Sequence, residues 1–440
     1  MDLVNAFRLT NKTKAAIVGS GGKTAAMFQL ARDFGSRVIL STTTHLAQDQ
    51  LMQADRHITL EGLADLPSME KELAGDILLF TGPEIETNRV KGPDQEILVQ
   101  LSELADRWEC PLLIEADGAR QLPIKAPADH EPAIPEFVDT VIVVAGLSGL
   151  GKPLNENWVH RPEIFSDLVG VPLGSEVTSQ LLAAALTSSR GGLKNIPASA
   201  RKLLLINQLD SFPNWRTFHD HVPSFLSHYH AVGFAVLEDQ MLLELHEPIA
   251  GVILAAGGST RFGTTKQLLD WKGKPLVNHA AETALEGGLS PVLVVTGADQ
   301  SKVTRSLENL PVECAYNPDW EQGQSSSVRT GIEALPLNIG AVIFLLVDQP
   351  CIPPELIRRL VKAHAVKRAS IIHPQVNDER ANPVLFDREV FQELSSLEGD
   401  TGGRVLFNTY SAQVVPWDND LIRKDIDTPE DYEILRSAGE

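Results

Sequence analysis

Residues 15–24 read AAIVGSGGKT, and residues 249–266 read IAGVILAAGGSTRFGTTK. In each, a short apolar run suited to a buried strand passes straight into a glycine-rich turn that carries a lysine. A chain that does this twice holds two separate α/β starts. Outward from these two points, short β-branched runs alternate with amphipathic stretches. Strands are expected at 15–19, 37–41, 76–80, 111–116, 140–145 and 202–207 in the first half. In the second they are expected at 249–255, 291–296, 312–316, 341–347, 369–373 and 413–416. Met27, Leu30, Ala31 and Phe34 share one helical face after the first turn, with Gly35 placed to supply a left-handed stop. Pro275 opens a second helix that Gly287-Gly288 ends. Strand–helix alternation of this kind implies an α/β fold with mostly parallel sheets covered on both faces, and ligands at the carboxyl ends of the strands. The polar, proline-bearing His246-Glu247-Pro248 separates the two series, so the expected domains are 1–247 and 248–440.

Composition bounds the function. With 440 residues, 43% hydrophobic and 22% charged, the chain is too long for a single small binding module and too apolar for wholesale disorder. Its formal net charge of −20 repels nucleic acid and anionic membrane, so any phosphate-bearing ligand must be held by local donors. The longest apolar stretches, such as 341–347, fall far short of the roughly 18 residues of a membrane span. Residues 1–14 lack the apolar core of a secretory signal, and Cys110, Cys314 and Cys351 are widely separated, which points to a reducing cytoplasm. All three adjoin apolar segments and are read as buried structural thiols.

The second half carries the sharper chemical signal. In 254–266, Leu254, Ala255, Ala256, Gly257, Gly258, Ser259 and Gly263 allow close backbone approach to a ligand, while Arg261 and Lys266 bring cationic charge. Backbone N–H groups then cradle phosphate oxygens, and the cations offset charge that grows on an attacked α-phosphate. The apolar strand at 341–347 delivers Asp348 to the sheet's ligand-binding edge, where it suits Mg²⁺, an ion that needs few protein carboxylates. Asp427, in the run Asp425-Ile426-Asp427-Thr428-Pro429, can supply a second; Asp427 or Thr428 can equally cap the final helix. Gly323 and Ser325 begin a predicted helix whose free N–H groups suit a phosphate or base oxygen.

These residues resemble the molybdenum-cofactor cytidylyltransferases and their MobA-like nucleotidyltransferase relatives. The resemblance rests on 254–266, on Asn317-Pro318-Asp319-Trp320 followed by 323–327, on Asp348-Gln349-Pro350, on Asn382-Pro383-Val384-Leu385-Phe386, on 399–404 and on 425–432. It implies a Rossmann-like nucleotidyltransferase domain in which the terminal phosphate of molybdopterin attacks the α-phosphate of CTP and releases pyrophosphate. By that resemblance Lys266 and Arg261 hold the triphosphate, Asp348 binds Mg²⁺ and Asp427 completes the metal site. Ala256 stands where the guanosine-using branch has glycine, which favours CTP over GTP. Ala381 and Gln324 depart from the family pattern and bear on the acceptor side.

In the first half, Gly19, Gly21, Gly22, Lys23 and Thr24 form a compact variant of a phosphate loop, with Lys23 suited to phosphates and Thr24 to Mg²⁺. Glu115 and Asp117 follow a later strand, where a carboxylate can orient a metal or water. Asn207-Gln208-Leu209-Asp210 resembles the base-reading segment of GTP-binding proteins, with Asp210 as acceptor for guanine donors. Together with 41–45, 115–119, 125–127 and 130–132, these segments resemble the YqeC family, described as accessory proteins of selenium-dependent molybdenum hydroxylases. A P-loop-like α/β domain binding ATP or GTP is the implied fold and role. His45, His130 and Glu131 are further metal or catalytic candidates, and the remaining histidines show no spacing that suggests zinc.

The leading expectation is therefore a two-domain enzyme with Mg²⁺ as cofactor, CTP and molybdopterin as substrates, and an apo molybdenum hydroxylase as recipient. Two alternatives stay open. One is nucleotidyl transfer to a sugar or alcohol phosphate; the other is a nucleotide-switched cofactor carrier or insertion chaperone that makes no bond.

Overall fold

The computed structural model describes residues 1–62, 76–85, 88–258 and 262–438. The chain divides into two compact units, Met1–His246 and Glu247–Glu440, each built on its own mixed α/β sheet.

In the first unit the sheet strands are β1 (Lys14–Gly19), β2 (Val38–Thr42), β3 (Arg56–Thr59), β4 (Ile77–Thr81), β5 (Leu112–Glu115), β6 (Thr140–Gly146), β7 (Arg201–Asn207), β8 (Ala231–Val236) and β9 (Met241–His246). Their order across the nine-stranded sheet is β9-β8-β7-β6-β1-β5-β2-β4-β3. Every pairing is parallel except β8 with β9. β1 lies between β6 and β5, in register Ala15 to Thr140 and Lys14 to Leu112. Its residues Ala15 and Ile17 face a core with Phe7 and Phe28, while Ala16 and Val18 face the opposite core with Phe165 and Phe225. Helix α1 (Lys23–Asp33) follows the glycine turn and buries Ala26, Met27, Leu30 and Ala31 on the sheet, and Gly35 stops it at φ +60°.

Strands β3, β8 and β9 stand outside the sequence expectation. Arg56–Thr59 is a largely polar edge strand with only Ile58 buried, so it carries no apolar run. In β8, Gly233 interrupts the pattern because a Cβ there would sit 3.1 Å from the Phe7 ring.

The second unit contains β10 (Ile249–Ala255), β11 (Val292–Thr296), β12 (Glu313–Tyr316), β13 (Ala341–Leu346), β14 (Ile371–Val376), β15 (Glu379–Arg380), β16 (Val384–Asp387) and β17 (Ala412–Pro416). Their order is β12-β11-β10-β13-β16-β14-β15, with β17 pairing β14. The half around β10 is parallel; β16 turns antiparallel to both β13 and β14. Among its helices are α2 (Leu276–Glu286), α3 (Gln324–Glu333) and α4 (Pro429–Ala438). Gly288, at φ +85°, follows α2 as the sequence suggests.

The cysteines divide. Cys110 is buried and Cys351 partly so, but Cys314 is exposed, because β12 is an edge strand. Burial nevertheless raises all three thiols, Cys110 to about 11, which leaves none activated as a nucleophile. Among the described residues no helix is long and apolar enough to cross a membrane.

The packing at the end of β1 makes a direct prediction. Gly19 has φ +97°, and a Cβ there would lie 2.2 Å from the Val144 carbonyl oxygen on β6. Gly19→Ala is expected to lower stability by about 1–3 kcal/mol or more, read as a fall in the urea midpoint with unchanged slope.

Candidate functional site

In the second unit β10 releases the chain at the carboxyl edge of the sheet. Leu254, Ala256, Gly257 and Gly258 line a cavity of about 440 Å³, together with Lys266 and Asp348. Gly258 is required by close approach, since a Cβ would fall 2.9 Å from the Trp320 ring, which also lines the cavity. Ala255 stays in the strand, buried, and Gly263 is a turn residue at φ +72° that does not line the cavity. Ser259 and Arg261 lie outside the described residues.

Three widely separated charges meet here. Lys266 Nζ donates to Asp348 Oδ2 at 3.0 Å and to Asp427 Oδ1 at 3.4 Å. Asp427 reaches this point because its segment docks on the Asp348 loop: Ile426 N–H donates to the Asp348 carbonyl at 2.9 Å, and Gln349 Nε2 to Asp425 Oδ1 at 2.7 Å. Capping falls to its neighbour. Thr428 Oγ1 accepts from Asp431 N–H, while Asp431 Oδ2 accepts from the N–H groups of Thr428 and Asp427, and this reciprocal box leaves the Asp427 carboxylate to Lys266. Burial raises the pKa of Asp425, against the pull of its hydrogen bond from Gln349, and the nearby Asp348 and Asp427 push it the same way.

Gln267 is a site residue that the sequence pattern does not single out. Buried beside Lys266, it donates through Nε2 to the Ala255 and Gly257 carbonyls at 3.0 and 2.7 Å, holding the backbone where the chain leaves the strand. The start of α3 corrects another expectation. Gly323 lines the cavity, but Ser325 is buried away from it, and the first N–H groups of the helix are not free. Gln324 N–H donates to Asp400 Oδ1 at 3.2 Å and Ser325 N–H to the Gly399 carbonyl at 3.4 Å. The 399–404 segment thus folds its own anion onto the positive end of the helix, where a ligand oxygen was expected.

In the first unit, Gly21, Gly22, Lys23 and Thr24 line a cavity of about 430 Å³ at the carboxyl end of β1. Gly21 has φ +73°, and a Cβ there would meet Gly146 Cα at 2.4 Å. Lys23 is buried, 3.3 Å from Asp117 and 3.7 Å from Glu115. Burial alone would lower its pKa, but the two carboxylates outweigh that and raise it, so it stays an ammonium. Thr24 Oγ1 donates to Glu115 Oε2 at 2.7 Å. Asp117 also accepts the Gly19 N–H at 2.9 Å and Lys125 Nζ at 2.8 Å.

Asn207 and Asp210 do not act together. The Asn207 side chain is buried and committed at both ends, donating to the Gly21 carbonyl at 2.7 Å and accepting from Leu237 N–H at 2.9 Å. Gln208 takes a left-handed conformation and turns the chain outward, leaving Asp210 exposed and off the cavity. Asn207 therefore holds the glycine turn. Of the other candidates, His45 lines the cavity, His130 is exposed at its ring, and Glu131 is a counter-ion, bound by Lys125 at 2.9 Å and by both terminal nitrogens of Arg161 at 2.6 and 2.9 Å. His160 beside them is held down to about 4 by burial and by Arg161 and Lys125, and is neutral at pH 7.

A family model described as YqeC protein matches residues 15–163, and one described as MobA-like NTP transferase domain matches residues 251–414. The chain belongs to both families. Its second half is accordingly a nucleotidyltransferase domain. Among curated relatives, the chain is 33% identical over 209 residues to the uncharacterized protein YqeC of Escherichia coli (strain K12), covering 46% of this chain and 78% of that one. It is 33% identical over 203 residues to nicotine blue oxidoreductase of Paenarthrobacter nicotinovorans, covering 42% and 96%. It is also 30% identical over 205 residues to purine catabolism protein PucB of Bacillus subtilis (strain 168), covering 43% and 97%. The matched YqeC segment contains Lys23, Thr24, Glu115, Asp117 and Glu131; the matched MobA-like segment contains Lys266 and Asp348 but ends before Asp427.

The YqeC half carries a pH signature. Burial would raise the Glu131 pKa, but hydrogen bonds from Arg161 and Lys125 hold it down to about 2. A carboxylate depressed on folding contributes stability above its unfolded pKa and loses it as pH falls toward the folded value. The melting-temperature gap between the parent chain and Glu131→Gln is therefore expected to be full above about pH 5 and to shrink steadily toward about pH 2–3. A gap unchanged over that window would show that the carboxylate is not held by these cations.

Proposed function

We propose that the MobA-like half transfers CMP from CTP to molybdopterin cofactor, forming the cytosine dinucleotide cofactor and pyrophosphate, and that the YqeC half is a nucleotide-binding accessory domain for molybdenum hydroxylase maturation. The observation that carries this reading is the Lys266 ammonium between the Asp348 and Asp427 carboxylates, at the wall of the glycine-lined cavity. A lysine there meets the triphosphate oxygens, and its attachment to both carboxylates orients it before substrate arrives. The two carboxylates already draw one cation between them, so the donor set fits Mg²⁺, held by Asp348 and Asp427 and supplying neutralisation of triphosphate charge. Arg261, five residues before Lys266 in the sequence, is the second cation of this reading. The transfer requires positioning and charge stabilisation and no covalent protein nucleophile.

Choice of base and acceptor is part of the proposal. Ala256 lines the cavity with a methyl group where glycine would leave space, which favours the smaller pyrimidine. Gln267, bound to the Ala255 and Gly257 carbonyls, acts through position. In the YqeC half, the ammonium of Lys23, the hydroxyl of Thr24 and the carboxylate of Glu115 form a set suited to a nucleotide phosphate and its metal, with ATP and GTP equally admissible.

The test is mass spectrometry of products after the purified chain receives Mg²⁺, molybdopterin cofactor and, in separate reactions, CTP, GTP or ATP. A Mg²⁺-dependent cytidine dinucleotide with pyrophosphate release is expected. Asp348→Asn and Lys266→Ala are each expected to lower its rate about 10²- to 10³-fold with an unchanged melting temperature. Bound nucleotide returned intact, with cofactor retained, would replace transfer by the carrier reading; a product formed only with a sugar or alcohol phosphate would replace the acceptor.

A further inference from the structure

The histidines that carry no zinc-like spacing in the sequence are brought together by the fold at one edge of the first unit. Glu244 and His246 are two apart on β9, so both side chains leave the same face of that edge strand. His219 arrives from the 3₁₀ segment Trp215–His221, after β7. His219 Nε2 lies 3.0 Å and His246 Nε2 3.1 Å from the same atom, Glu244 Oε2, and ligand atoms from the three residues fall within 4.8 Å of one another.

We infer that His219, Glu244 and His246 form a binding site for a divalent transition-metal ion of the Zn²⁺ class. Two imidazoles and a carboxylate are a borderline donor set that suits Zn²⁺ and its neighbours and disfavours Mg²⁺, so this site is chemically distinct from the aspartate pair of the MobA-like half. Three protein ligands leave one position of a tetrahedron open to water or another small donor.

Hydrogen bonding alone does not account for the geometry. His246 Nε2 is aligned with Glu244 Oε2, but His219 Nε2, although buried, has no aligned hydrogen-bond partner among the described residues. Protonated at that nitrogen, His219 points its N–H off the oxygen; unprotonated, it sets a lone pair against the lone pairs of the carboxylate. A cation shared by the three atoms resolves both cases. The observed N···O separations also match the edge of a metal polyhedron, because bonds of about 2.0–2.2 Å place neighbouring ligand atoms roughly 3–3.4 Å apart.

The surroundings support an ordered site. Edge-on contacts from Trp215 (centroids 5.2 Å) and Phe234 (5.3 Å) fix the His219 ring, and Phe234 meets His246 at 5.6 Å in the same manner. Glu244 is 5% exposed, while His219 keeps partial solvent access, which provides an entry path. Bound metal would tie the antiparallel β9 edge of this sheet to the segment that packs over it.

The experiment uses the full chain carrying Asp348→Asn and Asp427→Asn, stripped with chelator, so that the second unit's carboxylates do not contribute. Titration with Co²⁺ is expected to give visible d–d bands of a four- or five-coordinate site saturating at one equivalent, displaced by Zn²⁺, and Zn²⁺ is expected to raise the melting temperature of the first unit. His219→Gln, Glu244→Gln and His246→Gln, each checked for native circular dichroism, are expected to weaken binding at least about 10- to 100-fold. Should a substitution unfold the protein, the Co²⁺ spectrum of the unsubstituted triad decides. No visible band and no Zn²⁺-dependent melting shift would overturn the inference, as would full affinity retained in the folded glutamine variants.

Discussion

A strand buried on both faces has no side chain to spare for chemistry. β1 and β10 are each flanked by parallel neighbours and covered by apolar residues above and below, so function is pushed to the one place where the backbone leaves the sheet. Because the strands around them run the same way, several chain segments leave at the same edge. In the first unit that edge gathers the glycine turn, Glu115 and the end of β7; in the second it gathers the turn after β10, Asp348 and, by docking, Asp427. Tight glycine geometry follows from the same constraint, since the turn must double back against the neighbouring strand at backbone distance.

The net charge of −20 sets a second requirement. A polyanionic ligand approaches a protein that repels it at long range, so each cavity must offer it cations at short range and hold them in place without ligand. The two units meet this differently. In the YqeC half Lys23, Lys125 and Arg161 are interleaved with Asp117, Glu115 and Glu131 in a largely buried network, in which each cation is stabilised by a carboxylate at short range. In the MobA-like half one lysine serves two partly exposed aspartates, an arrangement that is more solvated and easier to rearrange around an incoming ion. Buried matched charge favours rigidity; half-exposed charge favours exchange.

Local sequence signals were reliable where one interaction dominates. The apolar runs became the parallel strands, Gly35 and Gly288 became left-handed helix stops, and Lys266, Asp348 and Asp427 did converge. They failed where a residue's partner is remote. Gln267 looks like any polar residue after a lysine until the fold sets its side chain against the Ala255 and Gly257 carbonyls. Asp400 lies far along the chain from the helix whose first N–H it occupies, and Asn207 reads as a ligand residue although both its polar atoms are taken by the protein.

The sequence by itself determined the two α/β units, the glycine turns, the candidate charges at the strand ends and the membership of both families, because each depends on short-range pattern or on an ordered set of motifs. Only the tertiary structure decided which charges pair, which helix end is already filled, and that His219 converges on Glu244 and His246. The physical reason is range: backbone preference and burial act over a few residues, whereas a site is a set of distances between segments that only the closed sheet brings within reach of one another.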